Sequence, residues 1–211
     1  MNKTHDIRID RTKLHPWLNY KLTLLLKQCA KKRIYLIITQ GFRSKAQQDE
    51  LYAQGRTKKG NIVTNAKGSD YSSQHQWGIA FDIVINDKKL LYDEATIIKV
   101  AKIAKSKKVG LAWGGDWVSP VDTPHFYLGK WGDTPAKLKS TYGTFEKFKK
   151  TWTKEVFGTK KGLNIWNKTR TKVLKKKLPN KTKVNVMYVK KGYAKVEYNG
   201  VVGYMKAKYL L

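Results

Sequence analysis

In the stretch Ser73-Gln74-His75-Gln76-Trp77-Gly78-Ile79-Ala80-Phe81-Asp82-Ile83-Val84-Ile85, residues 80–85 alternate as a β-strand with one discordant member. Phe81, Ile83 and Ile85 face one side and Ala80, Asp82 and Val84 the other, so both faces are apolar except at Asp82. A carboxylate on a buried face is costly unless something positive meets it, and a cation, an arginine or a metal would serve. His75 lies seven residues earlier in a loop, and Gly78 between them lets the backbone turn, so the two side chains can converge. Taken alone, this pair fits more readily with an ordinary reading, in which Asp82 pairs with Arg43 or a backbone amide and His75 is a solvated loop residue.

A second cluster changes the balance. Asp122-Thr123-Pro124-His125 places another histidine at the entry to a strand, with a carboxylate three residues before it on a proline-stiffened turn. Two imidazoles and one carboxylate can form a three-ligand zinc site whose fourth position is open to water. A further carboxylate nearby can then take that water's proton.

The surrounding chain reads as α+β. Leu14, Leu18, Leu22, Leu25 and Cys29 recur at helical spacing around Pro16, which predicts a helix over about 16–32. A strand over 34–39 follows. Ser44 with Gln47 forms a capping-box signature for a helix ending near Gln54, at Gly55. Residues 56–76 read as a polar loop, 80–85 as a strand, and the stretch from Asp93 towards Gly110 as a helix with acidic residues at its start. Residues 113–124 look like a loop, 125–128 like a short strand and 135–152 like a helix rich in aromatic residues.

The run Ser73 to Asp82 resembles the Ser-x-His-x-x-Gly-x-Ala-x-Asp signature of the VanY-like D-alanyl-D-alanine carboxypeptidases and L-alanyl-D-glutamate peptidases (the LAS group). Gly41-Phe42-Arg43-Ser44, Gln47, Leu51-Tyr52 and Gly55-Arg56 resemble the family's upstream motif, and Val63-Thr64-Asn65-Ala66-Lys67 its loop. Trp113-Gly114-Gly115-Asp116-Trp117 and Asp122-Thr123-Pro124-His125-Phe126 resemble its distal motifs, most closely those of the L-alanyl-D-glutamate endopeptidase branch common among phage endolysins. The resemblance covers about residues 14–130; one departure is a slightly long loop at 68–72, which could alter the approach to the stem peptide.

The resemblance implies a small antiparallel sheet flanked by helices. It also implies that His75, Asp82 and His125 bind one Zn2+ per chain, and that Asp122 acts as general base and then as acid toward the leaving amine. Arg43 would polarise the scissile carbonyl. Ser73 would hydrogen-bond substrate or orient a ligand, though a plain turn serine is an equal reading. Trp113 and Trp117 line the cleft or fill the core. His5 and His15 are expected to be ordinary surface or packing residues.

Charge bears on partners. The chain has 44 Lys plus Arg against 15 Asp plus Glu, a net +29, which calls for a polyanionic neighbour. Charge alone would favour nucleic acid, but no nucleic-acid motif accompanies it and charge does not explain the His and Asp clusters, so no specific nucleic-acid partner is expected. Cys29 cannot form an internal disulfide and reads as a buried, inert thiol. Residues 1–10 lack a signal peptide's apolar core, and no apolar run approaches the ~18 residues of a membrane span, so no membrane insertion is expected.

Beyond Gly158 the texture changes to short β-patterned runs with a turn at Asn199-Gly200, giving an expected division into 1–158 and 159–211. Residues 159–211 hold 15 Lys plus Arg and one acidic residue, Glu197, and so carry +14 of the total charge. The runs 192–200, Gly203-Tyr204-Met205 and Lys208-Tyr209-Leu210 resemble bacterial SH3-like domains appended to wall hydrolases, with Leu163-Asn164-Ile165 as the opening strand. Trp166-Asn167-Lys168-Thr169 departs from that pattern. Tyr193, Tyr198, Tyr204 and Tyr209 either fill the thin core of such a barrel or face its ligand, while Lys175, Lys176 and Lys177 would aid retention on a polyanionic wall.

The sequence thus points to a monomeric, zinc-dependent peptidoglycan hydrolase of the endolysin type, an L-alanyl-D-glutamate endopeptidase. It would be made in the host cytoplasm and act on peptidoglycan and anionic wall polymers after release. A D-alanyl-D-alanine carboxypeptidase with the same metal chemistry, or a non-enzymatic polyanion-binding protein, are the alternatives.

Overall fold

The computed structural model describes residues 4–129 and 134–211, so the first three residues of the segment read for export lie outside it. Its contacts divide the chain into two compact units, Met1–Phe145 and Glu146–Leu211.

In the first unit β1 (Asp6–Ile7) leads through helix α1 (Pro16–Lys31) to β2 (Leu36–Gln40). Helix α2 (Lys45–Ala53), β3 (Ala80–Ile85), α3 (Glu94–Lys105), β4 (Ala112–Trp113), β5 (His125–Tyr127) and α4 (Pro135–Tyr142) follow. The sheet order is β1-β2-β3-β5-β4. Every ladder is antiparallel except β1 with β2, so the sheet is mixed where a wholly antiparallel one was expected. The cause is α1, the crossover that returns the chain to run parallel to β1. A two-residue strand carries no alternation to announce it.

Leu18, Leu22, Leu25 and Cys29 of α1, Ile97, Val100, Ala101 and Ala104 of α3, and Phe81, Ile83 and Ile85 of β3 form the buried core of this unit. Cys29 is free, and burial pushes its thiol up to about 12, as befits an inert packing residue. Ser44 caps α2 in a complete capping box with Gln47. His5 is a tie rather than a bystander: its Nε2–H donates to the Leu26 carbonyl at 2.9 Å and its Nδ1 accepts from the Leu36 N–H at 3.0 Å. His15 is buried at the N-terminus of α1, where Nδ1 accepts from the Trp17 N–H. The helix expected over 135–152 is broken at Gly143 into α4 and a short α5 (Phe145–Lys150).

The second unit carries a six-stranded antiparallel sheet of β6 (Thr153–Glu155), β7 (Leu163–Trp166), β8 (Val173–Leu178), β9 (Lys183–Lys190), β10 (Tyr193–Tyr198) and β11 (Val201–Lys206), ordered β6-β9-β10-β11-β7-β8. Asn199 and Gly200, both at positive φ, make the tight β10–β11 turn that the Asn-Gly pair predicts. Ile165, Val184, Ala194, Val196 and Met205 lie at the centre of its core. The sheet is not closed into the barrel expected: among the described residues β6 and β8 stay unpaired with each other. Leu174, Lys175, Lys176 and Lys177 make four exposed positions in a row on β8, and a lysine-rich edge resists further pairing. Of the tyrosines, Tyr198 and Tyr209 pack against the core, while the Tyr204 hydroxyl meets that of Tyr188 at 3.2 Å.

Candidate metal centre

His75 lies in the one-turn helix Gln74–Trp77, which Gly78 ends in the left-handed conformation at φ 63 before β3 begins. Its carbonyl accepts from the Arg43 N–H, and its Nδ1–H donates to the Gly41 carbonyl at 2.7 Å. Asp82 and His125 are direct partners across the β3–β5 ladder, so their side chains emerge side by side on one face. His125 Nε2–H donates to the Gln74 side-chain oxygen at 2.6 Å.

These outer hydrogen bonds fix the tautomers. A carbonyl can only accept, so the His75 proton sits on Nδ1 and its Nε2 lone pair is free. The Gln74 oxygen likewise keeps the His125 proton on Nε2 and frees Nδ1. The two freed nitrogens face each other at 3.2 Å, and Asp82 Oδ1 lies 3.2 Å from the first and 3.0 Å from the second. Three acceptors thus converge with no hydrogen between them. The sides of this triangle approach the ~3.3 Å edge of a tetrahedron built on metal–ligand bonds of about 2.0 Å. Among the described residues, this is the one group of three or more His, Cys, Asp or Glu side chains close enough to hold a metal ion. The residues fit a divalent cation.

Both imidazoles are buried. Burial opposes ionisation of Asp82, but its carboxyl is held well below the usual range by the positive charge and hydrogen bonds that the two facing imidazoles supply when protonated, a role that a bound cation would take over from neutral rings. Asp122 behaves differently. Burial raises its pKa and the Asp82 charge adds to this, against the opposing pull of His125, His75 and Arg43.

A cavity of about 550 Å³ opens onto the triad, and Arg43, Ser73, Trp117 and Asp122 are among its walls. Arg43 Nη1 donates to Gln48 Oε1 at 2.9 Å, and its buried Nε–H has no acceptor among the described residues. Ser73 caps nothing with its side chain. The two tryptophans part company. The Trp117 ring lies 5.1 Å from that of His125 and its indole N–H donates to the Tyr127 hydroxyl, whereas the Trp113 N–H holds the Thr123 carbonyl and so braces the Asp122 turn. Gly114 lets that turn approach, since a Cβ there would lie 2.5 Å from the Asp122 carbonyl oxygen. The loop at 68–72 is anchored through Gly68, whose N–H donates to Asp49 and whose carbonyl accepts from Gln76.

The structure therefore brings His75, Asp82, His125, Asp122, Arg43 and Ser73 together around one cavity with Trp117, and leaves Trp113 outside its lining. It adds Gln74, which holds His125, and Gln48, which is fully buried and holds Arg43 while donating to Thr64 and Ala66. Gln48 stands three residues before Leu51, and a polar residue on a helix's inward face is the signal that could have revealed it. Gln74 gave no such signal beyond its place beside His75.

A family model described as D-alanyl-D-alanine carboxypeptidase matches residues 67–128, a span that contains the whole triad and Asp122. Peptidoglycan L-alanyl-D-glutamate endopeptidase CwlK of Bacillus subtilis (strain 168) is 42% identical over 126 residues, covering 54% of this chain and 73% of CwlK. The L-alanyl-D-glutamate peptidase of Listeria phage A118 is 35% identical over 98 residues, covering 43% of this chain and 35% of that protein. Among solved structures, the L-Ala D-Glu endopeptidase ChiX of Serratia marcescens matches 56% of this chain and 82% of its own at 22% identity, with a TM-score of 0.41. The chain belongs to the peptidase M15 family of metallopeptidases. Within that family it is CwlK-like.

Proposed function

We propose that the chain is a zinc-dependent L-alanyl-D-glutamate endopeptidase that cuts the stem peptides of peptidoglycan. The observation that carries this reading is the triangle of three unprotonated acceptors, His75 Nε2, His125 Nδ1 and Asp82 Oδ1, each about 3 Å from the others at the edge of an open cavity. The relationship to CwlK supports the choice of bond.

His75, Asp82 and His125 would hold the ion. A zinc bound there would supply an acidified water and polarise the scissile carbonyl. Asp122, on the cavity wall with a raised pKa, is suited to take the proton of the attacking water and return it to the leaving amine. Arg43 keeps a cation on the cavity wall, braced by Gln48, whose charge would stabilise the oxyanion that develops on attack. Ser73, on the same cavity wall, would hydrogen-bond the peptide.

The second unit serves retention on the wall. Its resemblance to SH3-like domains and its charge of 15 Lys plus Arg against one Glu over 159–211 support this. The phage relative supports an endolysin's route, with synthesis in the host cytoplasm and action after release.

The test is mass spectrometry of fragments released from defined peptidoglycan. Cleavage between L-alanine and D-glutamate leaves new amino termini on glutamate. Release of free D-alanine without such termini would instead identify a carboxypeptidase, and intact peptidoglycan with tight polyanion binding would identify a non-enzymatic binder.

A further inference from the structure

The second unit contains a cavity of about 350 Å³ whose walls include Trp166, Arg170, Tyr193, Lys206 and Tyr209. All three aromatic residues are partly exposed, and both cations are exposed. No acidic residue lines it. Glu197, the one acidic residue of 159–211, accepts instead from Asn185 and from the Gly200 N–H.

The wall that carries Arg170 is a built structure. Asn167 Oδ1 accepts from the N–H groups of Thr171 and Lys172, and its Nδ2 donates to the hydroxyls of Thr169 and Thr171. This knot folds residues 167–172 back on themselves, with Arg170 at φ 62 and its guanidinium 4.7 Å from the centre of the Tyr193 ring. Stacking on the ring restrains the guanidinium while leaving its N–H edge able to bind an oxyanion. The same segment is the one that departs from the SH3-like pattern, so its order belongs to this chain's own sequence.

Aromatic faces beside fixed cations suit a ligand that alternates ring or polyol surfaces with anionic groups. We propose that this cavity is a binding site for a phosphate-bearing wall glycopolymer, with Arg170 and Lys206 on the phosphates and Trp166, Tyr193 and Tyr209 against the sugar or polyol. A polymer with a charge on every repeat also matches the surplus of cations over the unit better than a peptide stem with few charges does. The proposal rests on the reading of this unit as a wall-retention module, and it adds a defined site where that reading needs only diffuse charge.

The test uses the full chain and purified poly(glycerol phosphate), titrated calorimetrically at about 0.15 M salt, where interactions beyond about 8 Å are largely screened. Arg170→Ala and Tyr193→Leu should each weaken binding by about tenfold or more, with Arg170→Lys falling between Arg170→Ala and the parent. The control is the double variant Lys107→Ala/Lys108→Ala at exposed positions of the first unit, which removes more charge outside the cavity and should cost less than about threefold. Arg170 is exposed, so its variants report on the site without disturbing the core. Equal losses in all variants, in proportion to charge removed, would overturn the site. So would undiminished binding of the full chain, in excess chelator, to walls stripped of their phosphate polymer, because the ligand would then be the peptide or glycan. Failure to sediment with intact walls at any salt concentration would instead remove the retention reading itself.

Discussion

Asp82 and His125 stand opposite each other on neighbouring antiparallel strands, with Oδ1 and Nδ1 3.0 Å apart. Because the strand register sets this contact, two of the three members of the triad are placed by the sheet itself, and only His75 has to be delivered by a turn. The strand ladder and the hydrogen bonds to Gly41 and Gln74 thus set the positions of all three groups, as a divalent-cation site requires.

Asp122 lies on the turn braced by Trp113 and packed against Gly114, outside the triad. Asp122→Asn should therefore keep the metal and lose turnover, with kcat falling by about 10²- to 10⁴-fold and metal content unchanged. Elemental analysis alongside a wall-lysis assay checks both halves. Full activity in this variant would remove Asp122 as the base.

Gln74 supplies the acceptor that keeps the His125 proton on Nε2. Gln74→Leu should lower zinc affinity by about tenfold to a hundredfold, measured by competition with a chromophoric chelator, while Gln74→Glu, which retains an acceptor, should hold it near the parent value. Unaltered affinity in Gln74→Leu would make the contact incidental.

His15 links the first unit's stability to pH. Burial holds its imidazole down at about 3 from the ordinary 6.5, so between those values the unfolded chain binds a proton that the folded chain refuses. The contribution is therefore complete above pH 6.5 and is lost as pH falls toward 3, with a limiting slope of about 1.4 kcal/mol per pH unit. His15→Asn retains an acceptor for the Trp17 N–H but does not titrate, and its denaturant midpoint should fall less steeply over that window. Parallel pH profiles for the two proteins would contradict this.

What the sequence made legible is local. The alternation of 80–85 located β3 and its discordant Asp82, and Ser44 with Gln47 located the start of α2, because each signal lies within a few residues of the element it marks. The convergence of His75, Asp82 and His125 was legible because these residues fall within family motifs. The parallel pairing of β1, the joining of β6 to β9 and the open edge of the second sheet depend on contacts between residues far apart in sequence, and nothing local encodes them. Gln48 and Gln74 were missed for a related reason: an amide becomes informative only once the group it holds is known.

The most direct test is metal content measured together with activity. The purified chain should hold about one zinc, lose wall lysis when stripped by chelator and regain it on adding zinc back, and His75→Ala, Asp82→Ala and His125→Ala should each lose both metal and lysis. Undiminished lysis by the metal-free protein, or by any of these three variants, would contradict the account.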